Sequence, residues 1–167
     1  MFERCVMLDR VPILLAEDEE NDVFLMRRAF ERAEIPNPLV VVSNGRETID
    51  YFSGAGAFSD RKQFPLPGLV LLDLKMPWMG GFDVLQWLRA RPEFDLLPVV
   101  VLTSSMLQLD VEKSRQIGVH DYRVKPHQFE DLVRMLKDVR SCWLDERINR
   151  YCATSQPPPQ LPPRPEP

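Results

Sequence analysis

The sequence predicts an α/β domain built on a five-stranded parallel sheet with helices on both faces. Short apolar runs alternate with longer amphipathic stretches five times along the chain, the pattern of repeated βα units. The first four runs are continuously apolar rather than alternating, as strands covered on both faces must be. At 167 residues the chain is long enough for one domain with a sizeable core and too short for two ordinary ones.

The five strand candidates are residues 11–16, 39–43, 69–72, 99–102 and, more weakly, 121–124. The first helix, residues 21–33, carries Phe24, Leu25, Met26, Ala29, Phe30 and Ala33 at spacings that can cover one face, and Ile35-Pro36-Asn37-Pro38 stops it. A second helix, 46–52, follows Asn44-Gly45, and 53–67 is rich in Gly, Ser and Pro and reads as a long irregular connection. Val84, Leu85 and Leu88 define a third helix over 82–89. Gly118 closes a fourth over 108–117 as a C′ residue. A fifth, 129–144, has Leu132, Val133, Leu136, Val139 and Trp143 at helical spacing. The expected organisation is an N-terminal extension over 1–10, one domain over 11–144 and a C-terminal extension over 145–167. Seven of the last eleven residues are proline, so that segment is expected to be an extended tail.

Composition narrows the function. Hydrophobic residues at 44% and charged residues at 28% are ordinary for a globular protein. No apolar run approaches the ~18 residues of a membrane span. Glu3, Arg4 and Asp9 make the N-terminus unlike a signal peptide, so a cytoplasmic protein is expected. A net charge of −4 without a Lys/Arg cluster argues against nucleic acid as a partner. Cys5, Cys142 and Cys152 are scattered and odd in number, which suits packing or surface thiols rather than a disulfide framework or metal site. His120 and His127 lack a second ligand at metal-binding spacing and are expected at the surface.

In an open parallel sheet, ligands meet residues at the carboxyl ends of the strands. Here those ends carry Glu17-Asp18, Asp73, Thr103 and Lys125-Pro126. Acids gathered in one crevice repel one another unless a cation compensates them. An oxygen-only donor set favours Mg²⁺ over zinc or copper. A carboxylate beside Mg²⁺, with an ammonium and a hydroxyl nearby, has the parts for phosphoryl transfer onto Asp.

The residues Glu17-Asp18, Asp73-Leu74-Lys75-Met76-Pro77, Thr103 and Lys125-Pro126 resemble, in order and spacing, the signature of bacterial two-component response regulator receiver domains. The resemblance covers roughly residues 10–142, and four separated motifs in register are far more specific than any one. It implies a flavodoxin-like (βα)5 three-layer sandwich with strand order 2-1-3-4-5. It further implies that Asp73 is the phosphoacceptor, that Asp18 ligates Mg²⁺ directly with Glu17 holding the metal's waters, and that the Lys75 backbone carbonyl completes the protein ligands. Thr103 would hydrogen-bond the phosphoryl group, Lys125 would pair with it, and Tyr122 would be the aromatic that swings inward as Thr103 is drawn to the phosphate.

Some features depart from the commonest pattern. The connection over 52–68 is long, Ser104 stands where a small Ala or Gly is frequent, and Gly80 stands where Asp or Asn is frequent. Gly80 is expected to keep access to positive φ while losing a helix cap. The long connection, the Leu-Thr-Ser-Ser run and Trp143-Leu144 resemble stand-alone regulators that partner bacterial phytochrome-type kinases. The partners so implied are a sensor histidine kinase of that type and a downstream protein or relay component, with a homodimer as a further option. About 25 residues follow the helical pattern, too few for a DNA-binding output domain, so output through protein contacts is expected. Trp78, in the loop after Asp73, suits either partner contact or simple packing.

Three other functions are less consistent with the residues. A haloacid-dehalogenase-type phosphatase also uses an Asp nucleophile and Mg²⁺ but places Asp-x-Asp after its first strand, where this chain has Glu17-Asp18-Glu19. A flavodoxin-like FMN carrier needs a phosphate loop in place of the acidic Ala16-Glu17-Asp18-Glu19. A degenerate receiver acting only as an interaction module is at odds with the intact set of acids.

Overall fold

Every residue of β1 (Ile13–Ala16) and β3 (Leu69–Leu72) is buried, which is why their sequences show no polar alternation. A computed structural model describes residues 11–145 and places these two strands side by side at the centre of a parallel sheet ordered β2-β1-β3-β4-β5. The other strands are β2 (Leu39–Val42), β4 (Val99–Thr103) and β5 (Asp121–Val124). The helices are α1 (Glu20–Arg32), α2 (Gly45–Ser53), α3 (Gly81–Arg89), α4 (Gln108–Ile117) and α5 (Phe129–Arg140).

Alternate residues of each strand feed opposite cores. Ile13, Leu15, Leu69, Leu71, Val100 and Leu102 join Met26, Ala29 and Phe30 of α1 and Leu132, Leu136 and Val139 of α5 on one face. Leu14, Ala16, Val70, Leu72 and Val99 join Tyr51, Phe52, Val84, Leu85 and Leu88 on the other. Each such aliphatic side chain contributes about 1.5–3 kcal/mol when fully buried. The two cores hold the sheet rigid, and therefore fix where its carboxyl edge presents side chains.

Several expectations need correction. β1 begins at Ile13, with Val11 half-buried ahead of it. Phe24 and Leu25 do not belong to the buried face of α1 and are 58% and 42% exposed. At 100° per residue they fall outside the stripe formed by Met26, Ala29, Phe30 and Ala33. The fifth helix ends as an α-helix at Arg140 and continues as a π-helical turn, Ser141–Asp145. His120 is not a surface residue; it is half-buried, its Nδ1 accepts the Val99 N–H at 3.1 Å and its ring meets Trp143 edge-on. His127 is exposed as expected, and so is Cys142.

The long connection is more ordered than its composition suggests. Gly54 closes α2 in the left-handed region (φ 65°), a 3₁₀ turn spans Gly56–Phe58, and Arg61 donates to the carbonyls of Tyr51, Phe52 and Phe64. The Tyr51 hydroxyl donates to Pro65 O at 2.7 Å. Cys5, Cys152, the extension over 1–10 and the proline-rich tail lie outside the described residues. Among those described, no helix is long and apolar enough to cross a membrane.

Candidate functional site

Strand register brings the site together. Ala16 stands opposite Leu72 in the β1–β3 ladder, so Glu17 and Asp73 leave adjacent strands at the same level. The Asp73 N–H continues that ladder by donating to Ala16 O at 3.0 Å. On the other side Thr103 stands opposite Val124, and the Lys125 N–H donates to Thr103 O at 2.8 Å. The backbone of each functional residue is thus an extension of the sheet, which gives its side chain a rigid origin.

The Asp73 loop is held from outside by glycine. A Cβ on Gly81, at the start of α3, would lie 2.2 Å from the Asp73 carbonyl oxygen, so α3 approaches this closely only because the side chain is absent. Gly80 does not use positive φ as expected; its φ is −79°, and its N–H donates to Asp83 Oδ2 at 3.1 Å. The left-handed residue of the loop is Trp78, with φ 64° and a side chain 96% exposed. That exposure removes the packing alternative for Trp78.

Lys125 Nζ lies 2.5 Å from Glu17 Oε2, 2.6 Å from Asp22 Oδ2 and 3.0 Å from Asp73 Oδ2. Burial alone would lower this lysine's pKa, but its hydrogen bonds to Asp22 and Glu17 and the charge of Asp73 outweigh burial and hold it above the ordinary value. Burial raises Glu17 to about 7; the Lys125 hydrogen bond and charge only partly offset this, and the Asp73 charge adds to the rise. Asp73 Oδ1 accepts the Lys75 N–H at 3.2 Å. Thr103 is fully buried, and its Oγ1 accepts the Ser105 N–H at 3.3 Å. The Tyr122 hydroxyl donates to Ser105 O at 2.9 Å, and burial is the main reason its pKa is raised.

Glu17, Asp18 and Asp73 each offer a carboxylate oxygen, all within 4.8 Å of one another. Asp18 Oδ1 is buried without a hydrogen-bond partner. An acid pair pressed together, one member raised to about 7 and a third acid with an orphaned oxygen, is a donor set short of positive charge. These residues fit a hard divalent cation with oxygen ligands. Sequence reasoning missed Asp22, although it lies one helical turn beyond Asp18 and so on the same side of the chain's path into α1. It also missed Ser105, buried and bonded through Oγ to Asp110 Oδ2 at 2.5 Å.

Comparison with known proteins decides the family. The model of the response regulator receiver domain matches residues 13–137. The chain belongs to the response regulator receiver family. It is 34% identical over 135 residues to the probable methanogenesis regulatory protein FilR2 of Methanothrix harundinacea, covering 79% of this chain and 83% of that protein. It is 32% identical over 133 residues to response regulator Rcp1 of Synechocystis sp., covering 80% of this chain and 88% of Rcp1. The Mn²⁺-bound form of Rcp1 superposes with a TM-score of 0.71 over 81% of this chain and 95% of that structure, at 31% identity. The bacteriophytochrome response regulator RtBRR superposes with a TM-score of 0.68 at 37% identity, over 86% of this chain and 92% of that structure. The fold is the flavodoxin-like receiver sandwich in the strand order the resemblance implied. Receivers of this kind are phosphoacceptor signalling proteins rather than catalytic enzymes, take phosphoryl groups from histidine kinases and bind a divalent metal. The dehalogenase-type phosphatase alternative is not supported.

Proposed function

We propose that this receiver accepts a phosphoryl group on Asp73 from a phytochrome-type sensor histidine kinase in the cytoplasm. The observation that carries the reading is the meeting of Asp73 and Glu17 on one ammonium, Lys125, at 3.0 and 2.5 Å, beside the unpartnered oxygen of Asp18. Likeness to RtBRR supports the choice of kinase. Asp18, Asp73 and the Lys75 carbonyl would hold Mg²⁺, with Glu17 on its waters. When bound, Mg²⁺ supplies positive charge to the phosphoryl oxygens.

A carboxylate oxygen of Asp73 attacks phosphorus in line. The P–O bond of the acyl phosphate forms as the P–N bond of the kinase's phosphohistidine breaks, and the nitrogen keeps the electron pair. Lys125 donates to the phosphoryl oxygens as a permanent cation, and Thr103 donates its hydroxyl proton as a hydrogen bond. Drawing Thr103 toward the phosphoryl group pulls on the Ser105 N–H, and Tyr122 senses that displacement through Ser105 O. Output then follows from a population shift of the surface formed by α4, β5 and α5, which a downstream protein, a relay component or a second copy would read.

The test is incubation with acetyl phosphate and Mg²⁺. The expected result is a base-labile, acid-stable mass gain of one phosphoryl group, abolished by Asp73→Asn and suppressed by EDTA. Continued labelling of Asp73→Asn would overturn the assignment. Phosphotransfer from a phytochrome kinase, compared with an unrelated histidine kinase, tests the partner separately.

A further inference from the structure

Asp22 has no place in the proposal above, yet it makes one of the shortest contacts in the site. It lies in the first turn of α1, outside the Glu17, Asp18 and Asp73 group whose oxygens could share a metal ion. Its Oδ2 accepts from Lys125 Nζ at 2.6 Å. An ammonium has three N–H donors. All three are engaged here, by Glu17 Oε2 at 2.5 Å, Asp22 Oδ2 at 2.6 Å and Asp73 Oδ2 at 3.0 Å.

Two of those three acceptors have another claim on them if Asp73 is the phosphoacceptor, the reading on which this inference rests. Glu17 faces the metal position, and Asp73 changes its charge and hydrogen-bonding capacity on phosphorylation. Asp22 alone answers to neither event. Lysine is a compact charge on a flexible four-carbon stem, so its direction is set by its partners and not by its own geometry. With only Glu17 and Asp73 to hold it, the ammonium would be drawn toward Glu17, already the nearer of the two at 2.5 Å.

We propose that Asp22 is a positioning residue for phosphoryl transfer, anchoring the Lys125 ammonium from the α1 side so that it stays beside Asp73 while the other acceptors change partners. It acts through the lysine and does not touch the phosphoryl group. Lys125 stays protonated throughout. With acetyl phosphate as donor, an Asp73 oxygen bonds to phosphorus, the bond from phosphorus to the acetyl oxygen breaks, and acetate leaves with the electron pair.

The experiment compares the full chain with Asp22→Ala, Asp22→Asn and Asp73→Asn. Acetyl phosphate labelling in Mg²⁺ is read as rate against donor concentration. The Lys125 ammonium is followed by ¹⁵N NMR in the metal-free protein. Asp22→Ala is expected to slow labelling about tenfold, the loss of one charge-assisted hydrogen bond, and to broaden the Lys125 ammonium signal through faster proton exchange. Asn retains an acceptor oxygen at the same reach, so Asp22→Asn is expected to recover most of the rate and a sharper signal.

Labelling of Asp22→Ala at or above the wild-type rate, with Asp73→Asn unlabelled, overturns the anchor and leaves the phosphoacceptor assignment standing. Labelling of Asp73→Asn overturns the assignment itself. If near-UV circular dichroism shows Asp22→Ala misfolded, Asp22→Ser, whose hydroxyl is too short to reach the ammonium, takes its place with the same expected loss.

Discussion

At the amino end of the sheet every guanidinium nitrogen of Arg89 is engaged, with Nε donating to Gly118 O at 2.8 Å, Nη1 to Phe94 O at 2.8 Å and Nη2 to Leu97 O at 3.1 Å. Asn37 likewise donates to Val11 O and accepts from Arg140, both at 3.0 Å. At the carboxyl end three acids, Glu17, Asp22 and Asp73, meet on one ammonium, and Asp18, grouped with Glu17 and Asp73, has Oδ1 left without a partner. At the amino end these side-chain donors are satisfied by backbone carbonyls. The other end is charged and undercompensated, so a cation or a phosphoryl group changes its energy. The same sheet supports both, one end with its polar groups internally satisfied and the other with acids in excess of their partners.

The largest way to break the saturated end is Arg89→Ala, which strands the three carbonyls. A loss of about 3 kcal/mol in urea denaturation is expected, with acetyl phosphate labelling of the folded protein unchanged. Gly81→Ala strikes the carboxyl end instead, because its methyl group would meet the Asp73 carbonyl at 2.2 Å. It should cost about 2 kcal/mol from overpacking and, unlike Arg89→Ala, also slow labelling by displacing Asp73.

The undercompensated end should show in pH dependence. Glu17 titrates at about 7 when folded, against 4.5 for a free side chain. The folded state therefore holds this proton more tightly. The contribution is fully present below about pH 4.5 and is lost as pH rises through 7. In EDTA, stability should decline by about 1–2 kcal/mol over that window, less than the isolated shift implies because the ionised acid gains the Lys125 hydrogen bond and charge. Glu17→Gln should flatten the decline. Added Mg²⁺ should stabilise more at pH 8 than at pH 5, since only the ionised acid attracts it.

The contrast between the two ends was half visible in the sequence. Runs such as Leu69-Val70-Leu71-Leu72 announce central strands because burial on both faces leaves no polar position, and the acids that follow them mark the carboxyl edge. The lack of a second metal ligand near His120 leaves a surface position as the expectation, and the sequence cannot correct it because its partners, Val99 and Arg89, lie 21 and 31 residues away, beyond any local periodicity. Phe24 and Leu25 misled because α1 has more apolar residues than its buried stripe can hold. Asp22 is legible only in its i+4 spacing to Asp18, a weak signal because acids are common in helix first turns.

The smallest expected effect is the one that tests how the carboxyl-end site couples to β5 through Ser105. Tyr122→Phe keeps the half-buried ring but removes the donor to Ser105 O. The cost in the unphosphorylated protein should be about 1 kcal/mol, one neutral hydrogen bond with its acceptor left wanting. Ser105 is bonded on three sides: its N–H to Thr103 Oγ1 at 3.3 Å, its Oγ to Asp110 Oδ2 at 2.5 Å and its carbonyl to Tyr122 at 2.9 Å. A pull on Thr103 must therefore change the Tyr122 bond if the coupling runs through Ser105. Denaturation with and without beryllofluoride and Mg²⁺ should then give different costs for Tyr122→Phe. An equal cost in both states would reduce Tyr122 to packing, and the signal would have to leave the site through Ser105 and Asp110 into α4 instead.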